Sequence, residues 1–135
     1  MADAVTTQTI QDGDRLAILK FTNISDGTGE SGVTKVDVST LQPESGTGKA
    51  CTEVKIQQIF YSMAGMGVDI LWEATADVLA FTVTDSSDGR FDFNEIGALT
   101  NTAGAGKTGD VAFTTVGAAA GDRYTIILVL EKKYS

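Results

Sequence analysis

The chain has 135 residues, with 10 basic and 18 acidic side chains, and its formal net charge is −8. It contains no His, one Cys and one Pro. The absence of imidazole excludes Ser-His and Cys-His catalysis and every His-containing metal site. A single Cys can form neither an internal disulfide nor a Cys cluster for zinc. The acidic balance argues against nucleic-acid binding, because affinity for phosphates comes largely from Lys and Arg.

The length predicts one domain over residues 1–135, and a hydrophobic content of 42% is enough for a buried core. The first seven residues show neither a basic region nor an apolar stretch, so we expect no secretory signal. The longest apolar run, Tyr124 to Leu130, is far too short to span a bilayer. We therefore expect a chain that is made and folded in a cytoplasm and does not enter a membrane.

Short segments of alternating apolar and polar residues recur between turns rich in Gly and Thr, which is typical of an all-β domain. The predicted strands, in chain order, are Val5–Ile10, Arg15–Ile24, Gly32–Val38, Thr52–Ser62, Gly67–Glu73, Val78–Thr84, Asp110–Val116 and Arg123–Lys132. They predict a single-domain antiparallel β-sandwich or small barrel with long Gly-rich loops. Both architectures have short strands at similar spacing, so the pattern does not distinguish them.

Residues 1–10 are rich in Thr and nearly uncharged. Two interpretations fit them equally well: an edge strand of their own domain, and an arm that adds a strand to the sheet edge of a neighbouring molecule. In the second interpretation the arm contacts its partner through Val5, Thr7, Thr9 and Ile10.

Two predicted strands, Arg15–Ile24 and Arg123–Lys132, carry apolar side chains on both faces. A strand of this kind is normally covered on both faces. In a chain of this size the second cover is a loop, a sheet that wraps round, or another subunit.

Three of the loops between the predicted strands stand out. Residues 23–32 and 43–49 are rich in Gly, Ser and Thr, and we expect them to be mobile at the surface. Residues 94–109 form the longest segment without strand character, with a short helical turn possible at Phe93–Leu99. Loops of this length in compact domains are often functional or interfacial.

The segment Gly104-Ala-Gly-Lys-Thr-Gly109 resembles part of a phosphate-binding loop. The full motif needs another Gly where this chain has Asn101, and it needs a helix directly afterwards. Because the following residues predict a strand, we interpret the segment as a flexible turn.

The segment Thr84–Glu95 resembles a calcium-binding EF-hand loop when it is aligned on Gly89. Asp88, Asp92 and Glu95 then occupy ligand positions, but the first ligand is Thr84 in place of Asp. A strand precedes the segment and no amphipathic helix follows it. A turn between strands is the preferred interpretation, with calcium binding as the alternative.

The remaining candidates have structural explanations. Cys51 has no His to activate it and is expected to be inert or partly exposed. Trp72 could stack on a sugar, but beside Val68 and Ile70 it fits a core position better. The pair Lys132-Lys133 is expected to be a solvated strand end. No catalytic, cofactor-binding or metal-binding residue is assigned, and the profile favours a structural or binding protein over an enzyme.

Three stretches together resemble small structural proteins of tailed bacteriophages, namely the head decoration proteins that are also called capsid cement or stabilising proteins. The stretches are Gly65–Val78, Gly104–Thr115 and Gly121–Leu128. The likeness is close in the C-terminal half and loose in the N-terminal half. It consists of strand and turn patterns, so no functional residue is carried over.

The resemblance implies a protein made in the host bacterium that adds to the outside of an assembled capsid. Its partners would be the major capsid protein and further copies of itself, with a homotrimer expected. Two alternatives remain open: a β-sandwich binding module for carbohydrate or a host surface, with Trp72 and the Gly-rich loops as its site, and another phage structural subunit from the tail tube or the head-completion complex.

Overall fold

A computed structural model describes residues 4–83 and 88–134. Its strands are β1 (Ala4–Asp12), β2 (Leu16–Asp26), β3 (Val33–Val36), β4 (Cys51–Ala64), β5 (Gly67–Trp72), β6 (Val78–Val83), β7 (Asp88–Asp92), β8 (Val111–Val116) and β9 (Ala120–Tyr134). Two short 3-10 helices lie at Val38–Thr40 and Asn94–Ile96. Among the described residues, no helix is long and apolar enough to cross a membrane.

The strands form two antiparallel sheets that pack as a β-sandwich. The larger sheet has five strands in the order β1-β2-β9-β4-β7, and the smaller sheet has four in the order β3-β8-β5-β6. Of the two predicted architectures, the structure therefore has the sandwich.

Ring contacts show how the two sheets lie over each other. Phe21 of β2 meets Phe113 of β8 with ring centroids 5.2 Å apart, and Phe81 of β6 meets Phe91 of β7 at 4.8 Å. Strand β2 therefore lies over β8, and β7 lies over β6. Strand β1 follows β2 on the side of β3, and it is exposed along nearly its whole length.

The core lies between the sheets and is built from the alternating apolar residues of both inner faces. On β9 the buried residues are Tyr124, Ile126, Leu128 and Leu130. Trp72 of β5 is 1% exposed, so the core position predicted for it is confirmed. The alternative in which Trp72 stacks on a sugar is wrong for this structure, because its ring is enclosed between the sheets.

Eight predicted strands are present with bounds shifted by three residues or fewer, and one strand was missed. The missed strand is β7, Asp88–Asp92, which pairs with Gln58–Ser62 of β4. Only Phe91 of this strand is apolar, so it shows no hydrophobic alternation. The turn expected over Thr84–Glu95 is therefore partly strand, while Thr84 to Ser87 lie outside the described residues.

The long connection from β7 to β8 is held against the first half of β4. Leu99 and Ile56 exchange two backbone hydrogen bonds, of 2.8 and 3.0 Å, which form an isolated bridge. The helical turn predicted at Phe93–Leu99 is present as the 3-10 helix Asn94–Ile96. This connection thus belongs to the body of the sandwich.

Candidate binding surface

Strands β2, β9 and β4 of the larger sheet turn one face to the core and the other away from it. We call the second face the outer face. Four half-buried apolar residues near its middle, Ile18, Phe60, Ile127 and Val129, form what we call the apolar stripe, while Leu16 and Ile24 lie toward its two ends. Within residues 4–83 and 88–134, no third layer covers it. The second cover predicted for the doubly apolar strands is therefore not supplied by the part of the chain described.

The strand register places the stripe across the middle of the sheet. Ile18 of β2 lies opposite Val129 of β9, and Ile127 of β9 lies opposite Phe60 of β4. The guanidinium of Arg90, on β7, lies 5.8 Å from the centre of the Phe60 ring, which is a cation–π contact. The stripe therefore crosses three adjacent strands, β2, β9 and β4, and Arg90 of β7 borders it.

Charged side chains of both signs surround the stripe on this face. The register places five cationic residues there: Lys20, Lys55, Arg90, Arg123 and Lys133. It also places four acidic residues on the face: Glu53, Asp88, Asp92 and Glu131. The outer face thus combines an apolar centre with a mixed surround that has a small cationic excess in a chain that is acidic as a whole, which suits a partner surface with apolar and charged groups.

At one end of the outer face lies an open concavity of about 460 Å³. Polar side chains from four strands line it: Thr6, Thr22, Ser62, Arg123 and Thr125. The hydroxyls of Thr6 and Thr22 are hydrogen-bonded to each other across β1 and β2. Ile24, 48% exposed, adds an apolar side to the same concavity.

Strand β1 carries the residues predicted to contact a partner. Val5, Thr7 and Thr9 lie opposite inward-facing residues of β2, so they share one face of β1. Ile10 lies at a bulge between Thr9 and Gln11 and is 50% exposed, while Val5 is 46% exposed. In the structure, residues 4–10 form an edge strand of their own sheet. Their contact with a partner stays a prediction.

The segment that resembles a phosphate loop has other contacts. Lys107 Nζ lies 2.8 Å from Glu53 Oε1, so its charge is paired. A strand, β8, follows the segment instead of a helix. A Cβ on Gly109 would lie 1.9 Å from the backbone oxygen of Thr52. The glycine therefore allows the turn to pack on β4, which supports its structural interpretation.

The EF-hand alternative finds no support in the described residues. Asp88 and Asp92 lie on strand β7, where they pair with Ser62 and Gln58 of β4 and share the outer face with them. Among the residues that the structure describes, no group of three or more His, Cys, Asp or Glu side chains is placed to hold a metal ion.

Two buried ion pairs were missed by the sequence-based prediction. Lys132 was expected to be solvated, but its side chain is 0% exposed and lies 2.6 Å from Asp12. Glu30 lies in a loop expected to be mobile, yet it is paired with Lys35 and the two side chains are 6% and 5% exposed. The alternation along β9 is a signal that could have found Lys132, because it continues the inward register of Tyr124 to Leu130.

The Glu30 carboxylate connects the loop after β2 to both sheets. Its Oε1 accepts hydrogen bonds from Asn23 Nδ2 at 2.8 Å and from the Tyr124 hydroxyl at 2.7 Å. Its backbone N–H donates to Thr115 Oγ1 at 2.8 Å. Buried charges need partners of this kind, so the cluster is best explained as a support for the loop.

Cys51 is the first residue of β4 and is 4% exposed. The predicted alternative in which Cys51 is partly exposed is therefore wrong. Burial raises the pKa of its thiol, while backbone hydrogen bonds and the nearby Lys132 charge oppose that shift. A thiol in this setting is a poor nucleophile, because the thiolate is the reactive form.

Comparison with known proteins places the chain in no family. No family model matches it, and no curated protein matches it. Among solved structures, it is similar to a cupin superfamily protein from Desulfitobacterium hafniense DCB-2, at 11% identity over 96% of this chain and 80% of that chain, with a TM-score of 0.36.

Two further similar structures are carbohydrate-binding modules. A mutant of the family 29 module CBM29-2 matches at 9% identity over 96% of this chain and 92% of that chain, with a TM-score of 0.40. A CBM4 structure matches at 8% identity over 96% and 94%, with a TM-score of 0.31. At these values the neighbours say nothing about what this chain binds.

Proposed function

We propose that the protein is a virion structural subunit that binds the outside of an assembled phage head and joins neighbouring capsomers. The observation that carries the proposal is the outer face, whose apolar stripe crosses three strands without a covering layer in the described part of the chain. The resemblance of three stretches to head decoration proteins supports it. Non-enzymatic action is supported by a sequence without His and by a buried, weakly nucleophilic Cys51.

The mechanism is stabilisation by binding. A protein that binds only the assembled shell shifts the equilibrium toward that shell in proportion to its free concentration and affinity. The partner is the major capsid protein, and the surface it offers is apolar with acidic groups at its border, to match Lys20, Arg90 and Arg123. The subunit is made in the host cytoplasm, assembles as a homotrimer and adds to the capsid exterior.

Co-sedimentation with expanded, undecorated phage heads tests this function. We expect binding that saturates at a fixed number of copies per head and that weakens as salt screens the contacts of Lys20, Arg90 and Arg123. Unexpanded heads are the control, since they lack the final shell surface. Binding that rises without saturation, or no binding to expanded heads, would overturn the proposal.

A second candidate is a carbohydrate-binding module, and the concavity at the end of the outer face favours it. Its hydroxyls and the Arg123 guanidinium are hydrogen-bond donors and acceptors of the kind that hold sugar hydroxyls. Titration calorimetry with soluble oligosaccharides tests it, with Arg123→Ala as the matched variant. Because Trp72 is enclosed in the core, its fluorescence is expected to be silent in such a titration. Measurable heat that is lost in the variant would favour this candidate over the first.

A further inference from the structure

In the part of the chain described, the two sheets end in four edge strands: β1 and β7 in the larger sheet, and β3 and β6 in the smaller one. Two of these edges have features that discourage pairing with another molecule. Strand β7 has only five residues, and Asp88, Arg90 and Asp92 are charged. Strand β3 has only four residues, and its Lys35 is held in a buried ion pair with Glu30, so its protection is its short length. Short length and charge are the usual ways in which proteins protect a sheet edge.

The other two edges lack the protection that charge gives, although each has one β-bulge. Strand β1 has nine residues and no charge from Ala4 to Gln11. Strand β6 has six residues, Val-Leu-Ala-Phe-Thr-Val, and no charge at all. Both expose large apolar side chains: Val5 and Ile10 are 46% and 50% exposed on β1, and Leu79 is 54% exposed on β6. An uncharged, apolar edge of this kind is a template for adding a strand.

The two unprotected edges lie on opposite sides of the sandwich. Strand β6 lies over β7, since Phe81 contacts Phe91, and β1 is at the far end of the larger sheet from β7. Each molecule therefore offers one unprotected edge on each side. Contacts between different surfaces of identical molecules are head-to-tail, and such contacts close into rings when the rotation between subunits permits.

We propose that β1 of one copy adds to the β6 edge of the next copy, so that the larger sheet of one molecule continues into the smaller sheet of its neighbour. The occupant of both edges is a second copy of this chain. A two-fold pairing of β1 with β1 would leave β6 exposed, whereas the head-to-tail contact covers both edges at once. The inference deepens the proposed function by naming the surface through which the subunits associate. It rests on the proposed function in one respect, namely the expectation that the ring has three subunits.

Charge exchange across the two edges tests this contact. One variant carries Thr7→Lys and Thr9→Lys on β1, a second carries Leu79→Glu on β6, and a third combines all three substitutions. Light scattering after gel filtration gives the mass of each purified full-length protein. Val116→Glu is the control, because Val116 is 52% exposed but lies on β8, an interior strand. Circular dichroism checks that each variant is folded. If one is not, the experiment is repeated with the charges reversed, that is, with glutamates at positions 7 and 9 of β1 and a lysine at position 79 of β6.

We expect the wild type and the control to have the mass of a trimer of 14.1 kDa chains. The β1 and β6 variants should each be monomers, and the combined variant should associate again and dissociate in high salt. A monomeric wild type, a β6 variant that still associates, or a combined variant that stays monomeric would each overturn the proposal. Because the measurement contains no phage heads, a failure of head binding is distinguishable from a failure of this contact.

Discussion

The ammonium of Lys132 lies 2.6 Å from Oδ1 of Asp12, and the lysine side chain is 0% exposed. The same ammonium donates to the backbone oxygens of Gly13 and Gln42, both at 2.8 Å. One side chain of β9 therefore ties together the end of β1, the turn that follows it and the loop after the first 3-10 helix. Breaking a buried pair by removing one partner is costly, because the other charge stays buried.

Lys132→Met should lower the free energy of unfolding by roughly 3–5 kcal/mol, the range for a broken buried ion pair. Lys133→Met is the matched control: Lys133 is the next residue and is exposed, so its replacement should cost within about 0.5 kcal/mol. Urea denaturation of both variants measures the difference. Equal stability of the two variants would show that the Lys132 contacts contribute little.

The same ion pair predicts a dependence on alkaline pH. Burial acts to lower the pKa of Lys132, but the hydrogen bonds and charges of Asp12 and Tyr134 outweigh it, and the pKa is raised above 10.5. A raised pKa in the folded state contributes stability that is complete below the unfolded pKa and is lost as pH rises through the folded pKa. The stability difference between wild type and Lys132→Met should therefore be constant from about pH 7 to about pH 9 and shrink above the ordinary lysine pKa. A stability difference that already shrinks near neutral pH would contradict the raised pKa of Lys132.

Gly109 and Gly46 form a matched pair for testing the turn that resembles a phosphate loop. Both have positive φ, of 84° and 91°, but a Cβ on Gly109 would meet the Thr52 oxygen at 1.9 Å, whereas one on Gly46 would meet nothing within 4 Å. Gly46→Ala should cost about 1 kcal/mol from backbone strain alone. Gly109→Ala should cost a further ~1–3 kcal/mol, because the backbone of β4 must move. Thermal denaturation of the two variants checks this, and similar losses would mean that the turn does not pack on β4 as described.

Cys51 should be chemically protected in the native protein. Its thiol is buried and its pKa is raised by that burial, so both access and thiolate fraction are reduced. With a thiol reagent such as Ellman's reagent at mildly alkaline pH, labelling of the native protein should be at least ~10-fold slower than labelling of the urea-unfolded chain. Equal rates would show that the start of β4 is open to solvent.

The strands were predictable because alternation is a local signal. The register of Val68, Ile70 and Trp72, for example, places all three in the core, where the structure has them. The order of strands in the sheets could not be predicted, because pairing such as that of β2 with β9 joins residues far apart in the sequence. Strand β7 escaped detection because it is held by backbone pairing to β4 and carries a single apolar residue, Phe91.

The candidate surface was predictable only in part. Apolar side chains on both faces of β2 and β9 predicted a cover for the second face, and the structure shows that this face is the outer one, which the described residues leave uncovered. The contribution of β4 and β7 could not be foreseen, since Phe60 and Arg90 come together only through strand pairing. Lys132 was misjudged because a charged residue at a chain end is usually solvated, although its register pointed inward.

Binding of one outer-face variant to expanded, undecorated heads tests the central claim most directly. Val129→Glu places a charge in the apolar stripe, where the residues opposite are Ile18 and Gln58. Val116→Glu makes the same substitution on the outer side of the smaller sheet and is the control. With both variants shown to be folded, we predict that the control saturates the heads like the wild type. Val129→Glu should lose at least ~10-fold in affinity, because a buried unpaired charge at an interface costs more than 1.4 kcal/mol. Equal binding of Val129→Glu and the wild type would contradict the assignment of the outer face as the docking surface.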